Sequence, residues 1–233
     1  MQTKPEFNSW PVGKLPKEFQ RPELDQVKNL GYNWQDPRDV VDIFERKVAE
    51  FAGAKYGVSV DCCTNGIFLC LKYLNAKGQV SIPKNTYQSV PMTIHHAGCY
   101  PEFRDEQWSG VYQLKPYPVW DAATRWRKDM YQGGLYVVSF QIKKWIPIGR
   151  GGMILTDDKQ AYDWLVKARY DGRDLSVNQW DDDADICGWH MYMTPEDAAR
   201  GIILMDQVAE NNPDCGGYEN YADQSKKKLW KLQ

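Results

Sequence analysis

The sequence predicts an α/β fold of three αβα layers built on a mostly parallel sheet. Two observations carry this. Short apolar strands alternate with helix-period segments along most of the chain. One of those strands, Tyr56-Gly57-Val58-Ser59-Val60, runs through a turn of small residues, Cys62-Cys63-Thr64-Asn65-Gly66, into a helix opened by Ile67, Leu69, Leu71 and Leu74. Size agrees: 233 residues, 42% hydrophobic and 26% charged, suit one large domain or two small ones. A chain of that length buries about 70% of its unfolded surface, so no disulfide or metal staple is required.

Residues 1–37 are rich in Pro, Lys and Asn, with Trp10 and Trp34 interspersed, and read as an extended N-terminal arm. From Asp39, a plausible N-cap, Val40, Val41, Phe44, Val48 and Phe51 recur at helical spacing, and Gly53 follows as a stop. After the first βα unit, 78–83 reads as a strand and 87–96 as a helix that tolerates Pro91 and ends at Gly98. Strands follow at 99–103, 117–121, 135–140 and 152–156, the last after the turn Gly149-Arg150-Gly151-Gly152. Residues 159–170 are helical. The last helix starts at Thr194, with Pro195 at its first position and Asp197 closing a capping box, and runs through Val208. The domain reading is therefore an arm 1–37, a ligand-binding large domain 38–210 and a tail 211–233.

Composition narrows the function. With 29 basic and 31 acidic residues the net charge is −2, against a nucleic-acid partner held by a basic excess. There is no run of 18 apolar residues and no apolar signal core near the start, so neither a membrane partner nor secretion is expected and the location is read as cytoplasmic. Six cysteines without a CxxC pair, and three histidines, match no zinc spacing; no metal is expected and the thiols are read as reduced.

In parallel α/β sheets ligands sit beyond the carboxyl ends of strands. Three polar spots fall there: Cys62 to Thr64, Asp121, and Ser139 with Lys143-Lys144. A helix N-terminus with a threonine suits a phosphate. An acid followed by Ala122-Ala123 has room beside it, and a lysine ahead of a glycine turn offers an amine on a loop. Phosphate anchor, buried acid and amine together are the kit for pyridoxal 5'-phosphate. Each piece also has a plain structural role: Thr64 as a helix cap, Asp121 as a strand-end cap, Lys144 as a surface lysine beside Trp145.

The order of these pieces resembles the DegT/DnrJ/EryC1/StrS family of sugar aminotransferases, which are fold-type I pyridoxal-phosphate enzymes. The resemblance covers roughly 40–210. It is carried by Phe51-Ala52-Gly53-Ala54-Lys55-Tyr56, Cys62-Cys63-Thr64, Ile82-Pro83 with Thr86-Tyr87, and Asp121-Ala122-Ala123. It continues in Ser139-Phe140 with Lys144 and Gly149-Arg150-Gly151-Gly152, then in Gly188 to Met193 and Ala198-Ala199-Arg200-Gly201. It implies the large domain of a pyridoxal-phosphate transferase. Lys144 would be the catalytic Schiff-base lysine. Asp121 would pair with the pyridine nitrogen, and Cys63, Thr64 and Ser139 would hold the phosphate. Tyr87 would stack on the ring, and Thr124 stands where the family usually has Gln beside the cofactor. His190 stands where the family usually places an Asn that reaches the phosphate of a partner subunit, which implies a homodimer with shared active sites.

The chain departs from the pattern at several places. Cys62-Cys63 replaces Ser-Gly, Gln141 replaces His, and Arg150 replaces Glu in the glycine turn. A strand-and-helix unit is missing between Asp105 and Asp121. Little follows Val208, so the expected form is a shortened one lacking the family's C-terminal small domain. Tyr192 and Arg173 are further candidates for substrate contact or plain surface. The implied function is an aminotransferase acting on a keto sugar, nucleotide-linked, with an amino-acid donor. The alternative is a non-catalytic binding or regulatory protein on the same fold.

Overall fold

Alternation decides which way each strand residue faces, and here it builds two cores. Val58, Val60, Val137 and Ile154 turn to one side of a central sheet, whereas Tyr136, Val138, Met153 and Leu155 turn to the other. The computed structural model describes residues 21–231. Its main sheet has β1 (Tyr56–Val60) at one edge, then β7 (Gly152–Thr156), β6 (Leu135–Ser139), β5 (Val119–Asp121) and β4 (Tyr112–Gln113). A separate pair, β2 (Gln79–Pro83) and β3 (Tyr100–Arg104), is parallel.

Helices α3 (Cys63–Tyr73), α4 (Ser89–His96) and α5 (Lys159–Ala168) contribute Ile67, Leu69, Val90, Ile94 and Leu165 to the first core. Helices α1 (Glu23–Asn29), α2 (Asp39–Ala52) and α6 (Pro195–Met205) contribute Val27, Val40, Phe44, Val48 and Ile202 to the second. The predicted αβα layering is thus present, with helices on both faces.

The sheet is mixed rather than mostly parallel, which corrects the sequence reading. In the five-stranded sheet β1–β7, β7–β6 and β5–β4 pair antiparallel; only β5–β6 is parallel. The physical reason lies in the connections. A parallel pair needs a crossover, but the chain leaves β6, makes the loop holding Lys144, and returns beside it as β7. A short turn likewise joins β4 to β5.

Three local readings also change. The small-residue turn at 62–66 is already helical, because α3 starts at Cys63 with Cys62 as its extended cap residue. Arg38, not Asp39, occupies the cap position of α2, and Asp39 is its first residue. The described part of the arm is not extended throughout: Glu23–Asn29 is a helix packed on α6, while residues 1–20 lie outside the described residues. The predicted stop at Gly53 is seen, with a left-handed φ of 80° that favours glycine. The Thr194 cap is also seen, its hydroxyl accepting from the Asp197 amide. The tail does not trail away. Residues 211–226 fold back against the 84–86 and 108–111 segments as a hydrogen-bonded strap.

Candidate active site

The site is assembled from four element ends. β1 delivers the chain to the N-terminus of α3. β5 ends at Asp121. β6 ends at Ser139 and passes into the Lys144 loop. The first turn of α4 comes alongside through Ser89. Between them lies a cavity of about 470 Å³. Its walls include Cys63, Thr64, Tyr87, Asp121, Thr124, Ser139 and Lys144, seven of the eight site residues named from sequence.

At one end, the N–H groups of Cys63 and Thr64 open α3 without a backbone acceptor among the described residues. Such amides, with the helix dipole behind them, favour an anion. The Thr64 and Ser89 hydroxyls meet at 2.7 Å beside them. Gly152 makes this approach possible: a Cβ there would lie 2.6 Å from the Cys63 nitrogen. Cys63 does not obstruct the amides. It is buried with its Sγ toward the Val137 carbonyl, and burial first, then the Asp121 charge, pushes its thiol far up, so it stays neutral. Arg150 pairs with Asp61 at 2.7 Å and remains largely exposed at the mouth.

Asp121 stands deeper, 5% exposed. Its Oδ2 accepts from the Tyr112 hydroxyl at 2.6 Å and its Oδ1 from the Ala123 amide at 2.9 Å. Burial raises its proton affinity; Tyr112, Ala123 and the Lys144 charge pull the other way. Of the two adjacent lysines, Lys143 is exposed and Lys144 is half-buried, and among the described residues the Lys144 ammonium makes no hydrogen bond or ion pair. The loop is pinned on both sides: the Lys144 amide donates to the Gln141 carbonyl, and the Trp145 indole donates to the Pro213 carbonyl.

Four residues named from sequence behave differently. The Thr124 hydroxyl is committed to the Gly110 and Gly216 carbonyls at 3.2 and 2.9 Å, so it holds the strap rather than facing a ligand. His190 lies outside the cavity, exposed and 2.8 Å from Asp171. Tyr192 stacks on Tyr170 and Arg173 faces Asp182, also outside it. Residues not named from sequence fill the remaining wall: Ser89, Trp108, Cys215 and Tyr221 line the cavity, and Tyr112 stands behind Asp121. β4 is only two residues long, too short for an apolar period to place Tyr112, and nothing local marks Tyr221 as a site residue.

A sequence model of the DegT/DnrJ/EryC1/StrS aminotransferase family matches residues 17–130 and 130–214. The chain belongs to this family. A curated relative, the spore coat polysaccharide biosynthesis protein SpsC of Bacillus subtilis (strain 168), is 27% identical over 80% of this chain and 61% of its own length. Among solved structures, AtS13 from Actinomadura melliaura superposes with a TM-score of 0.67 at 21% identity, covering 80% of this chain and 65% of that one. DesI, solved with its TDP-sugar product, gives 0.61 at 21% identity over 79% of this chain and 56% of that one. The DegT/DnrJ/EryC1/StrS chain described here thus spans under two thirds of these relatives. Among its described residues no helix is long and apolar enough to cross a membrane.

Proposed function

We propose that the cavity binds pyridoxal 5'-phosphate and that the chain is an aminotransferase acting on a keto sugar, nucleotide-linked, with an amino-acid donor. The observation that carries this is the convergence, in one cavity, of a helix N-terminus, a buried carboxylate and a half-buried lysine, the α3 amides and the lysine being without a partner among the described residues. The family is one of pyridoxal-phosphate-dependent aminotransferases.

The residues fit the group. The Cys63 side chain leaves the α3 amides clear, and the two hydroxyls of Thr64 and Ser89 stand beside them for a phosphate. Asp121 has lone pairs left after its two protein hydrogen bonds, so it can hold a proton on a pyridine nitrogen. Ser139 supplies a further hydroxyl, and Tyr87, 57% exposed, offers a ring face at the mouth. When bound, the cofactor supplies an electron sink for the carbon that loses its proton. Lys144 Nζ is the base that takes that proton and returns one to the product carbon. Asp121 keeps the sink cationic at its nitrogen, and the strap excludes water from the buried end.

Lys143, exposed at the mouth, favours an anionic acceptor. DesI was solved with a TDP-sugar product, and that substrate class is the one proposed here. His190, exposed outside its own cavity, is proposed to complete the cavity of a second copy in a homodimer. The test is the absorbance of the protein with added pyridoxal phosphate beside a Lys144→Ala variant. A visible lysine-dependent band lost in the variant is expected. No band, or the same band in both, overturns the assignment and leaves a binding protein on this fold.

A further inference from the structure

We propose that Tyr112 is a positioning residue for Asp121: its hydroxyl, itself oriented by Thr86, fixes the carboxylate at the angle from which a pyridine nitrogen would be met. This rests on the reading of the cavity given above.

The arrangement starts in the sheet. β4 and β5 are antiparallel with Tyr112 and Asp121 as directly opposed partners, so the two side chains share one face. The phenol reaches Asp121 Oδ2 at 2.6 Å while the Ala123 amide holds Oδ1 at 2.9 Å. With one donor on each oxygen, the carboxylate cannot rotate without breaking a bond. The Tyr112 hydroxyl has a single proton and gives it to the carboxylate, so in its contact with Thr86 the threonine is the donor. Tyr112 and Thr86 are 3% and 1% exposed, so their contact lies away from bulk solvent.

The tyrosine ring is fixed in turn. Trp108 packs edge-on against it at 4.7 Å, and the Trp108 indole donates to the carbonyl of Asn85, the neighbour of Thr86. Tyr221 of the strap stacks on Trp108 at 5.8 Å. Nothing in the resemblance assigned Tyr112: it lies in the stretch where the chain departs from the family pattern. A hydroxyl bonded to a buried carboxylate is a charge-assisted contact, stronger than a neutral one. The titratable groups facing Asp121 are Tyr112 from β4, Cys63 from α3, Lys144 from the loop after β6 and Tyr221 from the strap.

The test uses the full chain and two readouts. The first is the carboxyl titration of Asp121 by ¹³C NMR without cofactor, assigned by its loss in Asp121→Asn. Tyr112→Phe removes the donor that offsets burial, so the Asp121 midpoint rises; Thr86→Val moves it the same way by less, and Thr86→Ser leaves it in place. The second is pyridoxal-phosphate affinity against pH. Tyr112→Phe weakens binding about tenfold, the value of one charge-assisted hydrogen bond, and its loss of binding in acid begins at higher pH. An Asp121 midpoint unchanged in both Tyr112→Phe and Thr86→Val overturns the proposal. If Tyr112→Phe does not fold, the Thr86 pair decides it. A wild-type chain that binds no cofactor overturns the functional reading alone, because the Asp121 titration needs none.

Discussion

Asp121 answers to two opposed demands. Pairing with a pyridinium needs the ionised carboxylate, whereas burial favours the protonated form and raises its midpoint. The sign of the stability effect follows from that raised midpoint. Below the unfolded-state value the group is neutral in both states and costs nothing; as pH rises through the folded midpoint, ionisation stabilises the unfolded chain more. Asp121→Asn is therefore expected to be more stable than wild type at pH 7 in urea unfolding. The gain should shrink as pH is lowered toward about 4, the ordinary Asp value. The same variant should lose pyridoxal-phosphate affinity, so stability and binding move in opposite directions. A variant less stable at pH 7 would refute this account. Thr124 carries a different load. Its hydroxyl ties two carbonyls, Gly110 and Gly216, across the strap. Thr124→Val should cost about 1–3 kcal/mol by leaving the Gly110 carbonyl without a donor, the Gly216 carbonyl keeping the Gly110 amide, and Thr124→Ser should restore most of it, both read from denaturation midpoints.

At the scale of elements, the anion end of the cavity depends on how closely α3 meets β7. A Cβ on Gly152 would fall 2.6 Å from the Cys63 nitrogen and 2.8 Å from the Cys62 carbonyl carbon, backbone atoms that cannot swing away. Gly152→Ala is expected to cost about 1–3 kcal/mol through overpacking and to displace the α3 amides. A melting temperature and a pyridoxal-phosphate titration check it; lowered stability with unchanged cofactor affinity would show that the amides do not hold the phosphate. This contact also shows what a sequence can and cannot disclose. β1, β2, β6, β7 and the helices α2, α3 and α5 were legible because each carries its own apolar period or cap. β4 has two residues and α1 lacks a side-chain cap, so neither announces itself. Antiparallel order between β6 and β7 depends on where the chain goes after Lys144, which no local period records. Lys144 and Asp121 were legible as a series of motifs. Tyr112 and Tyr221 reach the site only through cross-strand pairing and the strap.

At the scale of the whole molecule, the strap and the position of His190 decide how the cavity is closed. Asp214 anchors the strap to Arg125 at 2.8 Å and Arg127 at 2.7 Å and also receives the Ser109 hydroxyl. Asp214→Ala leaves the partly buried Arg125 unpaired, at a cost of about 2–4 kcal/mol, and should speed proteolytic cutting within 211–226 without unfolding the sheet. An unchanged cutting rate would mean that the strap is held by its backbone bonds alone. The other side of the cavity is proposed to come from a second copy. His190 stands on the surface beside Tyr170 and Tyr192, turned to Asp171 and away from its own Lys144 cavity. If it completes a neighbour's cavity, His190→Ala weakens cofactor binding although the residue lies outside the cavity of its own chain. Mixing His190→Ala chains with Lys144→Ala chains then restores some complete sites. In a mixed two-fold dimer one cavity receives Lys144 from the first chain and His190 from the second, while the other cavity lacks both. Random pairing makes half the dimers mixed, so about a quarter of wild-type lysine-dependent absorbance should return at low cofactor concentration. Recovery in the mixture but in neither variant alone requires sharing between copies; no recovery, with His190→Ala binding as wild type, removes His190 from the site.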